Sequence, residues 1–155
     1  MPAVPIEELN ARVGDETGKS DWFTIDQERI NTFANATMDH QWIHVDPDSA
    51  AQGPFGATIA HGFLTQSLLS FLTLESMLLP DGAVMYINYG SDKVRFLNPV
   101  KVNSRIRAVC TLMAVKEKAP GQILVTNGVT VEIEGEDKPA LVAELLTIAI
   151  MGQPA

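Results

Sequence analysis

The chain reads as an α+β protein: a long central helix, then a run of antiparallel strands that can form a curved sheet around it. Two observations predict this. Over residues 61–79 apolar side chains, among them Phe63, Leu64, Leu68, Leu69, Phe71 and Leu72, wrap most of a helical circumference. A helix apolar nearly all round is expected to be buried. After the turn Pro80-Asp81-Gly82 the period changes, and four strand-like runs follow at 84–96, 101–115, 122–134 and 140–151. The pattern alone also allows other α+β arrangements.

The elements follow in order. Residues 6–13 suit a short helix, and Trp22, Phe23 and Ile25 suggest a strand. Asp26 has the character of an N-cap for a helix through about Ala36, with Ile30, Phe33 and Ala34 as its apolar face. Residues 37–59 read as irregular, apart from a helical turn after Asp46-Pro47. The breaks between the strand runs are Asn98-Pro99, Ala119-Pro120-Gly121 and 135–139, all rich in turn formers. Arg105-Ile106-Arg107-Ala108-Val109 and Thr130-Val131-Glu132-Ile133-Glu134 alternate polar with apolar, as half-exposed strands do. No repeat or linker interrupts the chain, so residues 1–155 are expected to form one domain.

Composition narrows the function classes. A content of 46% hydrophobic and 19% charged residues is that of an ordinary globular protein. Cys110 has no cysteine in the sequence to pair with, the start MPAVPIEELN shows neither a basic n-region nor a long apolar run, so no secretory signal is expected, and the stretch 63–79 is too polar to span a membrane. A cytoplasmic protein with no membrane partner is expected. Net charge is -8, with -10 in residues 1–92 and +2 in residues 93–155. An acidic surface disfavours nucleic acid as a partner. The basic group of Lys93, Arg95, Lys101, Arg105, Arg107, Lys116 and Lys118 could still meet a small phosphorylated ligand, although solvated strand faces are the plainer reading.

The chemistry concentrates in Met38-Asp39-His40-Gln41-Trp42-Ile43-His44-Val45-Asp46-Pro47, followed by Ala60-His61-Gly62-Phe63. On these residues the chain resembles the MaoC-like family of (R)-specific enoyl-CoA hydratases. That family's signature is an Asp, a His five residues on, x-Asp-Pro, and a His-Gly pair opening the central helix. Asp39, His44, Asp46-Pro47 and His61-Gly62 fall at those positions, and the run Ile87–Phe96 resembles the nodulation protein N-like branch. The resemblance implies a single hot-dog fold and a lyase that adds water across the double bond of a 2-enoyl thioester in fatty-acid or related metabolism. The chain departs from the family's usual Gly before the Asp and Asn-Pro before the Ile/Leu-His, having Met38 and Gln41-Trp42 there.

Hydration needs a nucleophilic water at C3, a proton for C2, and a partner for charge on the thioester oxygen. Histidine titrates near neutrality and suits the first task, so His44 is the candidate base, with Asp39 holding the same water. The N–H of Gly62 would meet the thioester oxygen, since the first N–H groups of a helix lack intrahelical partners. Ser70 matches an active-site serine of the resembling enzymes, but a helix serine bonded back to the main chain is as good a reading. Trp42, Phe55 and Phe63 are candidates for an acyl tunnel, while His40 reads as solvent-facing, Asp46 as an N-cap, and His61 as helix-start packing or capping. Lys93, Arg95 and Arg105 are candidates for coenzyme A phosphates. Asp39, His40, His44 and Asp46 include metal-ligand types, but the resemblance gives two of them a metal-free role. Neither metal nor cofactor is expected, coenzyme A being part of the substrate.

A thioesterase of the same fold is one alternative. Such enzymes often place a carboxylate in the central helix, where Glu75 is the only acid and lies near the far end. A non-catalytic thioester-binding subunit is another. Because a curved sheet leaves an open edge, a homodimer is expected.

Overall fold

Only the last four strands are long; every element before them is short. The computed structural model describes residues 1–152, so the last three positions of the expected 1–155 unit lie outside it. In chain order the elements are β1 (Ala3–Val4), α1 (Ile6–Ala11), β2 (Glu16–Lys19), β3 (Phe23–Thr24), α2 (Gln27–Thr37), α3 (Trp42–Val45) and α4 (Pro47–Ala51). There follow α5 (Gly62–Ser67), α6 (Leu69–Leu72), β4 (Leu79–Pro80), β5 (Ala83–Phe96), β6 (Arg105–Ala119), β7 (Gln122–Ile133) and β8 (Leu141–Met151). The strand expected around Trp22 is the two-residue β3, and the four later runs form β5 to β8. Asp26 caps α2 by accepting from the Arg29 N–H at 2.8 Å, a bond typically worth about 1 kcal/mol.

The sheet is antiparallel in the order β2-β6-β7-β8-β5, with β3 also on β6. Its inner face is lined by alternating residues: Ile106, Ala108, Cys110 and Leu112 on β6, then Val125, Val129 and Val131 on β7, all buried. Leu64, Leu69 and Leu72 from the helical layer complete this core with Ile25 and Ile30. Register shifts between Leu112 and Ala114 and between Asp92 and Arg95 bend the strands, because a bulge increases local twist. The result is a hot-dog fold: a curved antiparallel sheet laid around a short helical layer.

The central helix departs from expectation. Its helical residues end at Leu72, with a break at Leu68, and 73–76 are turn. Hydroxyls explain the shortening. Ser67, Thr73 and Ser76 donate to the carbonyls of Phe63, Leu69 and Leu72, each four residues back, and such bonds compete with the helix ladder. Nor is the helix buried all round. Phe63 and Phe71 are 67% and 53% exposed, because the sheet covers one face only. No helix of the described residues is long and apolar enough to cross a membrane.

Candidate active site

Residues 37–59 are more ordered than their sequence suggests, and the order places the site. Helix α2 ends at Met38, which adopts a left-handed conformation with φ 63°. That geometry reverses the chain but costs a non-glycine residue about 1 kcal/mol. The glycine usual at this position in the resembling family is thereby explained. Asp39 follows, its side chain 54% exposed. Gln41 occupies the N-cap of α3 without making a side-chain cap. The family's usual Asn-Pro would supply both a cap and a favourable first helical residue.

One turn of helix then turns His44 inward, where it is 7% exposed. Asp46 caps the next turn, accepting from the Ser49 N–H at 3.0 Å and its hydroxyl at 2.6 Å. It thus serves structure, as expected. Trp42 is fixed by close packing on Gly53, where a Cβ would fall 2.9 Å from the indole ring.

Residues 58–60 join this turn to the sheet. The Ile59 N–H donates to the Ile43 carbonyl at 3.0 Å, while Ala60 N–H and Val102 N–H pair with Val100 and Thr58 carbonyls at 2.8 and 2.9 Å. His44 Nδ1 donates to the Ile59 carbonyl at 2.7 Å. A carbonyl oxygen only accepts, so this bond fixes the proton on Nδ1 and leaves the Nε2 lone pair free. Burial holds the His44 pKa below its ordinary value, with the nearby His61 acting the same way and the Ile59 bond and Asp39 opposing. Burial thus favours the uncharged imidazole at neutral pH. Gln27 clamps the turn from α2, donating to the His44 carbonyl at 2.8 Å and accepting from Thr58 Oγ1.

The structure brings Asp39, His44 and His61 together, with donor atoms within 4.8 Å of one another. His44 and Gly62 share a 260 Å³ cavity walled by Phe55, Ile59, Phe96 and Pro99. Gly62 opens α5, and His61 before it offers no side-chain cap. The imidazole therefore packs at the helix start without capping it. A Cβ on Gly62 would fall 2.9 Å from the Phe96 ring, so glycine there admits the ring against the helix start.

Other candidates lie elsewhere. Ser70 and Phe63 line a separate open hollow of 520 Å³ with Met77 and Tyr86. Trp42 does not reach the His44 cavity, whereas Phe55 does. His40 is exposed and bonds Asn35 at 2.9 Å. Lys93 pairs with Glu144 at 2.7 Å, Arg95 donates to the Val94 carbonyl at 2.7 Å, and Arg105 pairs with Glu134 at 2.9 Å. Phe96 and Gln27 were not singled out from sequence. Phe96 had a signal in the turn Asn98-Pro99 just after it, while Gln27 had none, because its role depends on packing between α2 and α3.

Residues 8–134 match the family model described as "MaoC like domain". Over 139 residues the chain is 52% identical to 3-hydroxyacyl-thioester dehydratase Z of Mycobacterium tuberculosis, covering 90% of this chain and 91% of that protein. Nodulation protein N of Rhizobium leguminosarum bv. viciae is 47% identical over 149 residues, covering 96% and 92% respectively. The crystal structure of the MaoC-like dehydratase from Rhodospirillum rubrum is similar with a TM-score of 0.75 at 20% identity, covering 98% of this chain and 100% of that one, a likeness of fold. A family match over most of the chain, on a hot-dog fold, makes this protein a member of the MaoC-like dehydratase family, whose dehydratase and hydratase names mark a lyase-type enzyme.

Proposed function

We propose that the protein is an (R)-specific 2-enoyl-CoA hydratase, running equally as a 3-hydroxyacyl thioester dehydratase in reverse. The observation that carries this reading is the Nδ1-anchored His44, which lies beside Asp39 and itself lines the cavity that reaches the start of α5. A water held between Asp39 and His44 Nε2 gives a proton to the imidazole as its oxygen bonds to C3. Electron density moves through the C2–C3 bond onto the thioester oxygen, where the Gly62 N–H donates. C2 then takes up a proton returned through the Asp39–His44 pair, so one water is consumed and the pair is restored. A donor of this kind typically contributes about 3–4 kcal/mol in the transition state. Helix α5 is only six residues long, so the N–H itself, more than a long dipole, supports the role.

The (R) outcome rests on the resemblance to (R)-specific enzymes. The scheme routes no step through a metal or cofactor, coenzyme A being part of the substrate. Hydrolysis is the weaker reading. Glu75 is exposed in the turn after α6 and lines a different hollow, with Trp22 and Phe71.

The acyl group occupies the cavity beside Phe55 and Phe96, and Lys93 and Arg95 meet coenzyme A phosphates. Reversing both charges should raise KM, and an unchanged KM removes these residues from the site. A homodimer through the β5 edge is part of the proposal, because β5 pairs with β8 only and exposes Val84, Met85, Ile87 and Tyr89. The mass in solution by light scattering tests it.

The first experiment follows loss of the conjugated thioester absorbance of crotonyl-CoA and a medium-chain 2-enoyl-CoA, with wild type, Asp39→Asn and His44→Ala. Wild-type turnover that both folded variants abolish is expected. Active variants would overturn the site, and release of free thiol without hydration would favour the thioesterase.

A further inference from the structure

His61 has more contacts than packing at a helix start requires. At the N-cap of α5 a Ser, Thr, Asp or Asn would accept from the first N–H groups, yet His61 makes no such bond. Its ring turns the other way. Nε2 lies 3.0 Å from the Asp39 main-chain oxygen and 4.0 Å from Asp39 Oδ2. The imidazole stacks on that of His44, with centroids 3.8 Å apart and planes 23° from parallel. Phe33 packs against it at 5.1 Å.

The side chain is 3% exposed, and Nδ1 has no hydrogen-bond partner among the described residues. Since a carbonyl only accepts, Nε2 carries a proton, and Nδ1 is left without a partner. A buried polar atom without a partner is destabilising, and a phenyl ring would avoid it. An imidazole here is therefore a poorer cap than Asp and a poorer filler than Phe. What it does better than either is donate to Asp39 while lying against His44.

Asp39 needs such a hold. It follows the left-handed Met38, and Met38, Asp39 and His40 make no main-chain hydrogen bond to another element. Among the described residues its carboxylate accepts only a long 3.4 Å bond, from the Gln41 N–H.

We propose that His61 is a positioning residue, its Nε2–H holding the Asp39 main chain and its ring backing the His44 imidazole, so that carboxylate and base keep one separation. The role rests on reading Asp39 and His44 as the water-activating pair. Misplacing a reacting group by about 1 Å can cost about 100-fold in rate.

Two variants separate the contacts. His61→Phe keeps a ring against His44 and removes the donor; His61→Gln offers an amide N–H near the Nε2 position and removes the ring. Imidazole ¹⁵N NMR titrations are recorded on wild type and both variants, beside crotonyl-CoA kinetics with Asp39→Asn as the inactive reference. Wild-type His61 is expected to carry a proton on Nε2. The titratable neighbours of His44 are His61, which lowers its pKa, and Asp39, which raises it. His44 should therefore titrate at higher pH in His61→Phe. In that variant kcat should fall about 10- to 100-fold with KM nearly unchanged, and His61→Gln should recover part of the loss.

An Nε2 without a proton in wild type, or a His44 titration unmoved in both variants, overturns the role whatever the rates do. Full kcat in both variants while Asp39→Asn is dead overturns it as well. If wild type lacks hydratase activity, the functional reading falls, and the NMR result still decides the contacts of His61.

Discussion

Gly62→Ala tests whether the thioester lies against the start of α5. The added methyl would fall 2.9 Å from Phe96 Cγ and 3.0 Å from Cδ1 and Cδ2. Carbon contacts settle at about 3.5–4.0 Å, so the ring must retreat by roughly 0.5–1 Å. Phe96 ends β5 and is 47% exposed, which lets it swing outward. Overpacking costs about 1–3 kcal/mol in a closed core and less at this open position. Replacing glycine by alanine in a helix returns about 0.5–1 kcal/mol. The net change is a loss of about 0–2 kcal/mol, each kcal/mol lowering Tm by about 2–4 °C. The rate should suffer far more. With the methyl beside the N–H, crotonyl-CoA hydration should lose about 100- to 1000-fold in kcat. The double variant Gly62→Ala/Phe96→Ala relieves the steric conflict and should regain stability without regaining rate. Near-normal kcat in Gly62→Ala, or full rate in the double variant, refutes the role of this N–H.

Three further predictions concern single residues. Burial above all holds the His44 pKa below 6.5, so the unfolded chain binds this proton at higher pH than the folded one. Its stabilisation is therefore present above pH 6.5 and declines as pH falls through that value toward the folded pKa. The acidic limb of kcat/KM should lie below 6.5, and a limb above it contradicts the neutral-base reading. Met38→Gly should leave Tm unchanged or raise it, the relief of about 1 kcal/mol of left-handed strain offsetting glycine's entropy; a clear fall by calorimetry would show that Met38 packs usefully. Asn127 is fully buried on β7 with neither amide atom hydrogen-bonded among the described residues. Asn127→Val should stabilise by about 1–3 kcal/mol in urea unfolding, and destabilisation would mean that the amide is satisfied in solution.

The sequence was most legible where period and punctuation agree. Three of the four strands emerge within one residue of their expected ranges because alternation and Gly/Pro breaks are local signals, while the run expected at 101–115 forms four residues later as β6; Asp26 and Asp46 cap as their types suggest. The helix over 61–79 was misleading because its apolar residues serve two surfaces. One face packs on the sheet, while Phe63 and Phe71 stand outside it, and periodicity cannot distinguish a buried face from one left uncovered. The serines and threonines within it also bend the helix, a competition visible only once their hydroxyls are seen on carbonyls four residues back. Within the site, the resemblance to the MaoC-like family pointed to Asp39 and His44 as a pair, which their spacing alone did not establish. The anchoring of His44 by Ile59, fifteen residues on, and by Gln27, seventeen residues back, is tertiary and left no trace in composition.

The site also explains why so much apolar surface remains open. Charge developing on a thioester oxygen is best stabilised where water is excluded, since a donor acts more strongly at low local dielectric. Yet Asp39 is half exposed, and Phe63 and Phe96 meet edge to face at 5.6 Å while both stand partly in solvent. A single chain therefore holds His44 in a dry setting but leaves the carboxylate side uncovered. The strand that ends at Phe96 is the long edge strand of the sheet, and its Val84, Met85, Ile87 and Tyr89 are exposed as well. Edge and open site belong to one continuous strand. In the proposed homodimer, one association would cover the edge and help to seal the chemistry. A variant that breaks the β5 contact without touching the site should then lose kcat together with the dimer.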